Sequence, residues 1–93
     1  MNSRQEIKKI LVEALRLILG KKAPSVIDDD VEPIGHLGLV SADGIDLVLE
    51  LEARLGISIG ESLNPLVADE NHRRRPRKVR EIVDWLVKVQ QEQ

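Results

Sequence analysis

Apolar residues at Ile7, Ile10, Leu11, Ala14, Leu15 and Ile18 recur at the three- and four-residue intervals that line one stripe of a helix. Ser3-Arg4-Gln5-Glu6 ahead of them fits a capping box, with the serine hydroxyl accepting from a first-turn amide and Glu6 reaching back. Gly20 follows the last periodic residue, and Lys21 and Lys22 complement the negative end of the dipole. A first helix is therefore predicted from about Arg4 to Leu19. At about 100° per residue, Ile45, Val48, Leu49, Leu51 and Leu55 share one broad side of a second helix, with Asp43, Asp46, Glu50 and Arg54 opposite. This helix is predicted over about Ser41 to Arg54, with Ser41 as its N-cap and Gly56 ending it. Glu52 falls inside the apolar arc, where an unpaired carboxylate is costly, so it is expected to reach the rim or meet a cation. Leu49, at the edge of the arc, is a candidate exposed contact. After Pro76, the residues Val79, Ile82, Val83, Leu86 and Val87 make a last helical stripe with Trp85 on its edge, and Gln90 to Gln93 are expected to fray.

Between these segments the pattern weakens. Pro24, Pro33, Gly35, Gly38 and the run Asp28-Asp29-Asp30 mark Lys21 to Leu39 as a connection, which Val26, Ile27, Val31, Ile34, Leu37 and Leu39 are expected to pin to the core. Ile57 and Ile59 alternate as in a strand, but Gly56 and Gly60 confine them to an extended turn. Glu61 to Leu66 is predicted as a short helix broken by Pro65, with Leu63, Leu66 and Val67 inward. Asp69 to Lys78 is charged and lacks periodicity, and reads as a mobile loop. The elements predict an all-α four-helix bundle, three main helices and one short one, with residues 1–93 forming a single domain.

Composition narrows the chemistry. Trp85 is the only aromatic residue, so the core must be Leu, Ile and Val, a packing that tolerates rearrangement. The absence of cysteine excludes disulfides, thiolate metal sites and a cysteine nucleophile. His36 and His72 are too isolated for a metal cluster, and Asp28–Asp30 lacks the glycine and terminal glutamate of a calcium loop. No histidine lies near a serine in sequence and no Gly-rich phosphate motif is present, so an enzyme is not expected. Without a secretory signal or a membrane-length apolar run, a soluble, cytoplasmic monomer is expected.

Charge is nearly balanced overall at −2 but strongly segregated. Eleven acids between Asp28 and Glu70 face the single cation Arg54, whereas His72 to Arg80 holds six cations and no acid. Arg73-Arg74-Arg75-Pro76-Arg77-Lys78 could neutralise several phosphates. It has no aromatic stacking platform, however, and its acidic neighbours would repel a nucleic-acid backbone. Pairing with Asp28–Asp30 or with an acidic partner is the stronger expectation.

The segment from His36 to Glu52 carries the most specific pattern. Leu37, Gly38, Ser41, Asp43, Ile45, Asp46, Leu47, Val48, Leu51 and Glu52, followed by Leu55-Gly56-Ile57-Ser58-Ile59, resemble the signature of the acyl carrier protein family. The resemblance extends from about Ile7 to Val89 and implies a topology, with helices one, two and four roughly aligned and the short third across them. It implies that Ser41 is esterified by 4′-phosphopantetheine, whose thiol carries acyl groups in fatty-acid, lipid or polyketide-type biosynthesis. It also implies that Asp43, Asp46 and Glu50 steer docking to cationic surfaces of a phosphopantetheinyl transferase and of acyl-transferring enzymes, with Leu49 as the apolar contact. Val40 and Ala42 stand where the family has Asp and Leu, and the basic loop is longer than a typical carrier's. These departures frame an alternative, a carrier-like protein-interaction module that is never modified.

Overall fold

The first helix begins where its capping box places it. Ser3 Oγ accepts from the Glu6 amide at 3.2 Å, and Glu6 Oε1 accepts from the Ser3 amide at 2.8 Å. In the computed structural model, which describes residues 2–60, 63–70 and 73–93, α1 runs Arg4–Leu19 and buries Ile7, Leu11, Ala14 and Leu15. It is the central helix, packing against both of the other long ones. One of these carries Leu47, Val48, Leu51 and Leu55 into the core, and the other Val79, Ile82, Val83 and Leu86. Ile27, Leu39, Ile57, Ile59 and Leu66 come from the connections and close the core without any aromatic side chain. Each such burial contributes roughly 1.5–3 kcal/mol for a Val, Leu or Ile.

The connections hold more structure than the sequence pattern suggests. A 3₁₀ turn at Gly20–Lys22 follows α1, and a five-residue helix, α2 (Pro33–Leu37), precedes the second long helix. Pro33 occupies its start, His36 Nδ1 accepts from the Glu32 amide at 2.8 Å, and Gly38 ends it with φ 75°. Val26, expected to be pinned, is exposed. The short helix expected at Glu61 to Leu66 is not found at its describable end: Pro65 and Leu66 form a buried turn, and residues 61 and 62 lie outside those described. The second long helix, α3 (Asp43–Leu55), starts two residues later than expected and stops at Gly56, whose φ is 66°.

The segment read as a mobile loop is largely a hairpin. Strands β1 (Val67–Glu70) and β2 (Arg73–Pro76) pair antiparallel, with Val67 opposite Pro76 and Asp69 opposite Arg74. The chain is thus mostly helical with a small two-stranded sheet, not all-α. Neither strand shows an apolar alternation, and Asp69 and Arg74 face each other across the ladder as an exposed pair. Two strands alone are marginal; here α2 leans on β2, and the Arg77 amide donates to Leu66 O at 2.8 Å to close the hairpin base.

The last helix, α4 (Val79–Gln91), begins against the acidic turn. Val79 and Arg80 amides donate to Val31 O and Asp29 O at 2.8 and 3.1 Å, and the Lys78 amide donates to Glu81 Oε1 at 2.9 Å. Asp30 pairs with Arg80, and Asp29 with Lys8 at 2.9 Å, which holds the Asp29 carboxyl below its ordinary value. The acidic turn therefore faces the positive end of the α4 dipole and offsets the cations crowded there. Among the described residues, its partners are Lys8 and Arg80, and not Arg73 to Arg75. Arg75 grips Glu81 instead, through contacts of 3.1 and 2.5 Å, and Arg77 lies 5.1 Å over the Trp85 ring. The far end of α4 is tied down, not frayed: Gln90 Nε2 donates to Asn2 Oδ1 at 3.0 Å, and Gln93 Oε1 accepts from the Ser58 amide at 2.8 Å. No helix among the described residues is long and apolar enough to cross a membrane.

Candidate functional site

Residues 40–42 turn the chain into α3. The amides of Asp43, Gly44 and Ile45 donate to Val40 O, Ser41 O and Ala42 O at 2.9, 3.0 and 3.2 Å. The expected serine cap is absent, because the carboxylate takes that role in reverse: Asp43 Oδ2 accepts from the Val40 amide at 2.8 Å. Ser41 is left as an exposed residue on the turn, and its neighbour Val40 is 59% exposed. The first amides of α3 are already engaged by the turn carbonyls, so they do not form the anion-binding set that a helix start can otherwise offer.

The turn is held from the side by Asn64. Its Nδ2 donates to Ser41 O at 2.9 Å while its Oδ1 accepts from the Leu66 amide at 3.0 Å. This clamp lies so close to α3 that a Cβ at position 44 would sit 2.1 Å from Asn64 Oδ1. A side chain at residue 44 would therefore have to displace the Asn64 amide, a contact that sequence reasoning missed. The available signal was a glycine in the first turn of an otherwise good helix, where it costs stability relative to alanine.

Beside Ser41 runs an open groove of about 720 Å³, within the usual range for small-molecule sites. Ile45, Val48, Leu49 and Leu63 make its apolar lining, Ser41 lies at its edge, and Arg74 reaches it from β2. Ile45, on the apolar side of α3, and Leu63, expected inward, are 65% and 48% exposed here, and Leu49 is 60% exposed, as expected of a contact residue. Glu52 also lines the open groove, partly exposed as a rim position would be, and meets backbone amides instead of a cation. Its Oε2 accepts from the amides of Ile59 and Gly60 at 2.7 and 3.3 Å, which fixes the extended turn after α3. Sequence reasoning named Arg74 only within the basic run, since it is the hairpin that brings it to this groove.

The acidic side of α3 is less uniform than its sequence. Glu50 accepts from Arg54 Nε at 3.2 Å, and Arg54 bridges on to Glu13 of α1 at 3.4 Å. Asp43 is occupied with the turn. Asp46 is exposed and has no ion-pair partner among the described residues, so the unengaged docking candidates are Asp46 and Leu49. Among the described residues, no group of three or more His, Asp or Glu side chains is placed to hold a metal ion. Comparison of the chain with protein-family models, with curated proteins and with solved structures finds no match.

Proposed function

We propose that this chain is an acyl carrier domain, bearing 4′-phosphopantetheine on Ser41 and presenting acyl intermediates to biosynthetic enzymes. The observation that carries the reading is an exposed serine on the turn into a long helix, at the edge of an apolar groove. The residue types fit the arm. The Ser41 hydroxyl is accessible to a modifying enzyme, Ile45, Leu49 and Leu63 would shelter an apolar cargo, and Arg74 is a cation of the same groove. The bound arm supplies a thiol that holds the acyl group as a thioester. The chain's own residues position Ser41 through the Asn64 clamp and offer Asp46 and Leu49 to cationic, partly apolar enzyme surfaces. In this reading α1, α3 and α4 are the three long helices of a carrier bundle, and the hairpin occupies the place of its short third helix. The domain acts as a cytoplasmic monomer and catalyses nothing itself. Nucleic acid is left out because Arg75, Arg77 and Arg80 have partners within the fold and no aromatic platform accompanies the basic run.

A second reading, the unmodified docking module, draws on Val40. Its exposed apolar side chain stands where the family's acid would meet a modifying enzyme. The two separate by experiment. Incubation with coenzyme A and a broad-specificity phosphopantetheinyl transferase is expected to add the mass of one phosphopantetheine, and Ser41→Ala to abolish the gain. An unchanged mass with several transferases would favour the docking module.

A further inference from the structure

The groove beside Ser41 is apolar on one side but not neutral. Among the described residues, two charged side chains line it, Glu52 and Arg74. Glu52 is committed to the amides of Ile59 and Gly60. Arg74 is held loosely by contrast. Among the described residues its partner is Asp69, directly opposite on the hairpin at 3.8 Å, longer than a hydrogen bond, with both side chains mostly exposed. A solvent-exposed pair of this geometry holds its partner weakly, so the guanidinium can present its donor fork to an anion entering the groove. The lining then reads as a composite. Ile45, Leu49 and Leu63 match a short aliphatic chain, and Arg74 matches an anion at the end of it.

We infer that the groove selects carboxylated acyl groups, an aliphatic chain attached at one end as a thioester and bearing a free carboxylate at the other, with Arg74 as the selecting residue. This rests on the carrier reading for the covalent link at Ser41, but not for recognition in the groove. A terminal carboxylate gains a charge-assisted contact that a plain acyl chain of equal length lacks. The plain chain leaves Arg74 with Asp69 and gains only apolar contact. Arg74 is exposed and lies outside the core, so its replacement should leave the fold intact.

The test uses the unmodified full chain and soluble probes, and so does not depend on Ser41 chemistry. Methyl NMR of Ile45, Leu49 and Leu63 is followed during titration with the hexanoyl and the adipoyl thioesters of N-acetylcysteamine, which differ only in the terminal carboxylate. Free 4′-phosphopantetheine is titrated in parallel. The adipoyl probe is expected to bind roughly fivefold more tightly than the hexanoyl probe at low salt. That advantage should disappear in Arg74→Gln, survive in part in Arg74→Lys, and shrink as salt is added. Equal affinities, or an advantage untouched by Arg74→Gln, would overturn the assignment of Arg74. Dependence on Arg74 for phosphopantetheine but not for the adipoyl probe would place the anion on the arm instead of the cargo and overturn it as well. Binding of neither thioester would remove the groove as a cargo site. Failure of Ser41 modification, read separately by mass, would count against the carrier function and leave this result standing.

Discussion

Gly44 and Asn64 determine each other. Asn64 spans from the Ser41 carbonyl to the Leu66 amide across the face of α3, and any side chain at position 44 occupies its place. In the native background Gly44→Ala must displace the amide and break both contacts, at about 1 kcal/mol each, against a helix-propensity gain of about 1 kcal/mol. A net loss of about 1 kcal/mol is expected from denaturant unfolding. In an Asn64→Ala background the same change should stabilise by up to about 1 kcal/mol, since only the propensity gain remains. The same effect in both backgrounds would show that the clamp does not set residue 44. Sequence reading found Ser41 as the residue of interest but gave it the wrong local role. Serine and aspartate are both good caps, and nothing local decides that Asp43 reaches back to Val40 while Ser41 stays on the surface.

Among the elements, α4 depends most on charge. Glu81 lies in its first turn, where Arg75 and, secondarily, the Lys78 amide hold its carboxyl at about 2, well below the ordinary 4.5. A carboxyl whose folded value is depressed stabilises fully above its ordinary value and loses that contribution as pH falls through the folded one. The thermal midpoint is therefore expected to drop between about pH 4.5 and pH 2, with Asp29, also depressed, acting in the same direction. Glu81→Gln should lower the midpoint at neutral pH and flatten its fall over that interval. An unchanged profile would mean that the Arg75–Glu81 pair is not formed in solution. The helices were legible because each carries an apolar stripe; α1 begins and ends where its capping box and Gly20 indicate. The hairpin was not, because its strands carry no apolar alternation along the chain. Nor was α2, whose five residues are too few to show a helical repeat.

At the scale of the molecule, a small aliphatic core sits beside an apolar groove, and α3 serves both. Leu51 is fully buried on its inner side, while Leu49 is mostly exposed on the groove side. Leu51→Ala should cost about 2–5 kcal/mol, a large share of the stability of a domain this small. Leu49→Ala should change stability by no more than about 0.5 kcal/mol and weaken whatever docks there. Equal losses in denaturant titrations would mean that the groove is closed in solution and Leu49 is core. Periodicity placed both residues on one side of the helix, with Ile45 among them, since it cannot tell core from groove. The most direct test of an arm on Ser41 is a paired time course of intact mass, following the native chain and Val40→Asp with coenzyme A and the same transferase. Val40 is exposed in the turn, so the variant should keep the native melting behaviour. Both chains are expected to gain one phosphopantetheine, Val40→Asp faster, and neither to gain it when Ser41 is also replaced by Ala. If both masses stay unchanged while both chains remain folded, Ser41 is not an attachment site, even with an acid placed beside it.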